Sequence, residues 1–111
     1  MEQTTTLPGI GETTETTEEL APQYNVVLID DDEHTYEYVI EMLQKLFFYS
    51  KADAFRRAVE VDTMGRTVVL TCELAAAEFA RDQIHAFGAD PRMPKSKGSM
   101  KAIIEPVTAG V

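Results

Sequence analysis

From Tyr24 onward the hydrophobic positions fall into six short blocks whose spacing changes from one to the next. Tyr24-Asn25-Val26-Val27-Leu28-Ile29 is a β-branched run that stops at Asp30-Asp31-Asp32-Glu33, and it predicts a buried strand. Tyr36, Val39, Ile40, Leu43 and Phe47 then recur at helical spacing, with Glu37, Glu41 and Lys45 on the other side. Glu41 and Lys45 stand in a favourable i,i+4 relation, and Thr35 or Asp32 suits the N-cap. Ser50 suits the cap of a second helix running to about Asp62, with Phe55, Ala58 and Val59 as its apolar face. Gly65 fits the left-handed residue that ends it. Arg66 to Cys72 reads as another buried strand, and Leu74 to Phe87 as an Ala-rich third helix with a stripe of Leu74, Ala77, Ile84 and Phe87. Gly88 to Gly98 carries Pro91, Pro94, Lys95 and Lys97 and predicts a loop. Met100 to Glu105 predicts a last strand, stopped by Pro106. The order is β-α-α-β-α-β. With three strands, an antiparallel sheet covered by three helices on one face is the economical α+β arrangement.

Residues 1–23 break this pattern. They are rich in Thr and Glu, contain Pro8, Gly9, Gly11 and Pro22, and carry no Lys or Arg. Such a segment buries too little apolar area to offset its ordering entropy, so a disordered acidic tail is expected there, usable as an arm that another machine grips. A single domain over 24–106 and a short tail over 107–111 complete the expected organisation. The 111 residues allow one core, and 44% apolar content is ordinary for a globular chain. A net charge of −9 without basic clusters speaks against nucleic acid and suits a cationic ligand. Cys72 is the single cysteine, which excludes an internal disulfide and a four-cysteine zinc site; its apolar run predicts a buried, inert thiol. No apolar stretch approaches the roughly 20 residues of a membrane span, and the first residues resemble neither a signal nor a transit peptide. A cytoplasmic protein with no membrane partner is expected, and no motif asks for a cofactor.

The chemistry concentrates at the first strand-to-helix junction. Adjacent Asp30, Asp31 and Asp32 repel one another unless a helix amino terminus or a cation compensates. Three readings compete: capping plus a solvated turn, a divalent-metal site of Asp30, Asp31, Asp32 and Asp62, or a pocket for an organic ammonium. The spacing matches no calcium loop. Asp62 follows Phe55, Ala58 and Val59 at helical spacing and lies near a helix carboxyl end, where a negative charge is unfavourable. A carboxylate placed badly for stability hints at function. His34 and His85 are the only histidines, and neither joins a nucleophile in a recognisable pattern, so an enzyme is not expected.

Several segments, in order, resemble the ClpS family. Val27-Leu28-Ile29-Asp30-Asp31-Asp32 is similar to its strand running into Asn-Asp-Asp, and Val39-Ile40-Glu41-Met42-Leu43-Gln44-Lys45-Leu46-Phe47 to its first helix. Tyr49 to Gly65 matches its second helix, which closes in Val-His-x-x-Gly, and Ile104-Glu105 resembles the end of its last strand. The resemblance spans residues 24–106, apart from an insertion near Gly88 to Gly98. It implies the same fold and a non-catalytic adaptor. Such an adaptor binds substrates with a free α-amino group and a large hydrophobic first side chain (N-degrons), and delivers them to a Clp ATPase-protease complex through the amino-terminal domain of a ClpA- or ClpC-type ATPase. The resemblance places Asp30, Asp31 and Asp62 at the amino group and Tyr36, Val39, Ala58, Val61 and Met100 around the side-chain pocket. Asp30 stands for an Asn, Asp62 for the His, and His34-Thr35 for Thr-Pro. Asp30 and Asp62 keep acceptor oxygens while adding charge. Ala58 stands for a Met, opening room beside a ligand's β-carbon that the Tyr36 ring is able to fill. A ClpS-like domain that docks on the ATPase without reading amino termini is the alternative.

Overall fold

The computed structural model describes residues 21–107. The chain runs β1 (Tyr24–Ile29), α1 (Tyr36–Phe47), α2 (Lys51–Met64), β2 (Arg66–Cys72), α3 (Leu74–His85) and β3 (Lys101–Pro106), in the expected order. The sheet is three-stranded with β1 in the centre, antiparallel to β2 on one side and to β3 on the other. Val26 lies opposite Leu70 and Ile104, and Leu28 opposite Thr67 and Ala102. On β2 the register jumps from Leu70 to Val68 between Val26 and Val27, leaving Val69 as the extra residue of a bulge. Val69 is nonetheless buried, and its carbonyl accepts from the Tyr49 hydroxyl at 2.7 Å.

Alternation along β1 turns Val26 and Leu28 toward the helices, where they join the core with Ala102 and Val69. Small residues on the helices, Ala54 and Ala58 on α2 and Ala77 and Ala80 on α3, are wholly or almost wholly buried and let the backbones approach closely. The helix ends obey the local chemistry. Thr35 caps α1 by accepting from the Tyr38 N–H, and Ser50 caps α2 by accepting from the Asp53 N–H. Gly65 ends α2 at φ +87°, where a side chain is strained.

The packing departs from the expected stripes in several places. Tyr38 and Met42 are buried on α1, while Tyr36 is 36% exposed and Ile40 and Phe47 are only half-buried. On α2 the inward face is Ala54, Ala58 and Val61; Phe55 is 49% exposed. Leu74 is exposed at the start of α3, and Ala80 takes its place in the core. A 3.6-residue period leaves the phase of a stripe open by about one position, and the cap at Thr35 decides it here. Cys72 is half-buried rather than buried, with burial and then Glu73 pushing its thiol pKa up. Glu41 pairs with Arg92 at 2.6 Å instead of Lys45, because the 86–100 loop brings a guanidinium against α1. Most of the tail expected over 1–23, and residues 108–111, lie outside the described residues. The Gln23 carbonyl accepts from the Val107 N–H at 3.0 Å, continuing the β1–β3 pairing.

Candidate functional site

β1 ends at Ile29, and the chain crosses to α1 through Asp30 to Thr35. The Asp30 N–H donates to the Gly65 carbonyl at 3.0 Å, which pins this crossing to the end of α2. The end of β1, the start of α1, the last turns of α2 and the residue before β3 therefore meet at one place. Between them lies a cavity of about 40 Å³ lined by Asp30, Asp31, His34, Thr35, Tyr36, Val39, Ala58, Val61, Asp62 and Met100. All eight residues expected at a ligand site are among them. Val39, Ala58, Val61 and Met100 supply a buried apolar floor.

The polar wall is uneven. Asp30 has its carboxyl pKa raised, first by burial and then by the charge of Asp62. Asp31 is held: its Oδ1 accepts from the Glu33 N–H at 2.9 Å, and both of its oxygens lie on His34 Nδ1, at 2.8 and 3.0 Å. Asp62 Oδ2 accepts from the Tyr36 hydroxyl at 2.6 Å, and this bond is the first cause of the raised phenol pKa. The Tyr36 ring meets Phe55 edge-on with centroids 6.0 Å apart. It thus spans the stretch of α2 between Phe55 and Asp62, where Ala58 is small enough to let it lie close. Tyr36 is part of the cavity wall. At about 40 Å³ the space left is far below the roughly 300–1,000 Å³ of sites that enclose drug-sized ligands.

Asp32 takes no part. Its side chain is 88% exposed and its nearest cation is Lys95 at 3.8 Å. Among the described residues no group of three or more His, Cys, Asp or Glu side chains is arranged to hold a metal. His85 is structural, since its Nε2 accepts from the Ala102 N–H at 3.1 Å and ties α3 to β3. Larger hollows lie on the outer face of α2 (about 510 Å³) and beside β2 (about 430 Å³). Both border Arg57 and Glu60, which pair with each other at 2.7 Å.

Sequence reasoning passed over the residues behind the wall. Asp90, 1% exposed, accepts from the Thr35 N–H and hydroxyl at 2.7 and 2.8 Å, and from the Arg92 N–H and guanidinium at 2.9 and 3.2 Å. Burial alone would raise its pKa, but these bonds from Arg92 and Thr35 outweigh it and hold the carboxyl at about 2. Ser96 Oγ accepts from the Asp90 N–H at 2.9 Å and lies 3.1 Å from His34 Nε2. A Pro- and Lys-rich loop gives no periodic signal for such contacts; the one hint was His34-Thr35 at the helix start.

The chain matches the family profile described as ATP-dependent Clp protease adaptor protein ClpS over residues 19–94. It is 34% identical over 76 residues to the ATP-dependent Clp protease adapter protein ClpS of a Synechococcus sp. strain, covering 68% of this chain and 84% of that one. The same identity holds for ClpS of Synechococcus elongatus, over 68% of this chain and 80% of the relative. Among solved structures, Agrobacterium tumefaciens ClpS2 bound to L-phenylalaninamide superposes with a TM-score of 0.67 at 25% identity, covering 78% of this chain and 99% of that one. With the strand and helix order shared and the family profile spanning most of the domain, the chain belongs to the ClpS family of Clp protease adaptors.

Proposed function

We propose that this adaptor captures the free α-amino group and hydrophobic first side chain of N-degron substrates and delivers them to a Clp ATPase-protease complex, docking on the ATPase amino-terminal domain. The observation that carries the reading is the convergence of Asp30, Asp31 and Asp62 on one cavity with an apolar floor. The Asp30 pKa is raised by burial and by Asp62, so a cation placed between the two relieves a repulsion already present. An ammonium supplies that charge with three donors, and the Val39, Ala58, Val61 and Met100 floor receives the apolar side chain beside it. The ligand of the Agrobacterium ClpS2 structure, L-phenylalaninamide, has this chemistry: a free amino group beside an aromatic side chain.

Entry of a large side chain requires the Tyr36 phenol to leave Asp62, a rotation about the side-chain torsions of one surface tyrosine. That same bond favours the second reading, a docking domain that no longer reads amino termini, since the phenol already satisfies one of the three carboxylates. Fluorescence binding of short peptides beginning with Phe, Leu, Trp, Tyr, Ile and Val, each beside its acetylated form, decides between them. Binding confined to the free amines supports capture; absence of binding across the panel leaves docking alone.

A further inference from the structure

His34 stands between the cavity and the loop of residues 86–100, and its side chain is only 3% exposed. Its ring packs on Tyr38 with centroids 4.5 Å apart. The two nitrogens face opposite ways. Nδ1 lies on both oxygens of Asp31, at 2.8 and 3.0 Å, while Nε2 lies 2.7 Å from the Gly98 carbonyl oxygen. The loop end of this bridge is itself held, because Ser96 accepts from the Asp90 N–H and Asp90 is clamped to Thr35 and Arg92. A chain of hydrogen bonds therefore runs from the Asp90 backbone N–H in the loop, through Ser96 and His34, to the accessible Asp31 carboxylate at the cavity.

We propose that His34 is a positioning residue for amino-terminus capture, its Nδ1 holding the Asp31 carboxylate in one direction at the cavity; this rests on the capture reading above. The Glu33 N–H and His34 Nδ1 both fall on Oδ1 of Asp31. Nδ1 reaches Oδ2 at the longer 3.0 Å, so Oδ2 keeps acceptor capacity for a ligand while its direction is fixed. Without the ring, the carboxylate is free to turn among rotamers. A ligand then has to order it on binding, which costs affinity without changing any contact the ligand makes.

The two nitrogens can be separated by substitution. Asn places an amide N–H₂ near the Nδ1 position, and Gln places one near the Nε2 position. The experiment titrates wild type, His34→Asn, His34→Gln and His34→Ala with a Phe-initiated peptide, free and acetylated, alongside thermal unfolding of each variant. Expected is affinity for the free peptide within about threefold of wild type for His34→Asn, and a loss of about tenfold for His34→Gln and His34→Ala, with melting points of the Asn and Gln variants alike. Equal losses for Asn and Gln, or an alanine variant binding as tightly as wild type, overturn the proposal; should alanine unfold, the Asn and Gln pair still decides. A wild type that takes no free peptide is a different failure: it removes the capture reading, and the positioning role with it.

Discussion

Asp90 and Asp30 sit on two sides of the same helix start, and their surroundings push them in opposite directions. Asp90 is buried and receives four donors from Thr35 and Arg92, and its pKa falls to about 2. Asp30 is half-buried beside a like charge, and its pKa rises. One carboxylate is satisfied by the protein itself. The other faces Asp62, and the Asp31 backbone N–H on Asp30 and the Tyr36 phenol on Asp62 only partly offset the repulsion. A satisfied buried charge organises structure, whereas two like charges repelling across a cavity make a place for a cation to bind. Thr35 joins the two regions: it caps α1 by accepting from the Tyr38 N–H while its hydroxyl donates to Asp90.

The largest effect that tests this contrast is on stability. Asp90→Ala leaves the Thr35 N–H and the Arg92 guanidinium without their acceptor, and is expected to cost about 3 kcal/mol in chemical denaturation. A loss under about 0.5 kcal/mol would mean the loop is not held as described. Asp31→Ala should do the reverse, costing less stability than Asp90→Ala while weakening a free-amine peptide by about 30-fold or more. Comparable losses in both measurements would blur the two regions into one.

Acid brings out the same contrast. A carboxyl whose folded pKa lies at about 2, below an unfolded value near 3.9, contributes stability that is fully present above the unfolded value and is lost as pH falls through the folded one. Between about pH 5 and pH 2, wild type should lose about 2 kcal/mol that Asp90→Asn, already destabilised, does not lose. Asp30 works the other way: its raised pKa means that protonation relieves the free protein, so Asp30→Asn should raise the melting point modestly. A drop on Asp30→Asn would contradict the account of the cavity. The smallest effect belongs to Tyr36→Phe. Removing the hydroxyl frees Asp62 and should tighten free-amine peptides a few-fold, worth under about 1 kcal/mol. Weaker binding would show that the phenol assists the ligand instead of competing with it.

Much of this was legible in the chain. β-branched runs marked the strands, Thr35, Ser50 and Gly65 marked helix ends by their hydrogen-bonding and backbone chemistry, and the resemblance placed all eight expected residues around one cavity. Periodicity failed where it has no resolution. It put Tyr36 in a core stripe, whereas Tyr38 is the buried ring, its hydroxyl donating to the Gly88 carbonyl and its pKa pushed by burial up to about 12. Tyr36 instead turns to Asp62, a partner 26 positions away that no local rule connects to it. The loop contacts were invisible for the same reason. Asp90, Ser96 and Gly98 act on residues 55 to 64 positions earlier, and only the closed topology brings them there.

The central claim is that Asp30, Asp31 and Asp62 form an acceptor set awaiting an ammonium while Asp90 is already satisfied. Side-chain carboxyl NMR signals recorded during a titration with L-phenylalaninamide, and again with its N-acetyl form, test it directly. The account predicts saturable shifts at Asp30, Asp31 and Asp62, little movement at Asp90, and none of this with the acetylated compound. Shifts of equal size from both compounds, or movement at Asp90 with the three cavity carboxylates still, would contradict it.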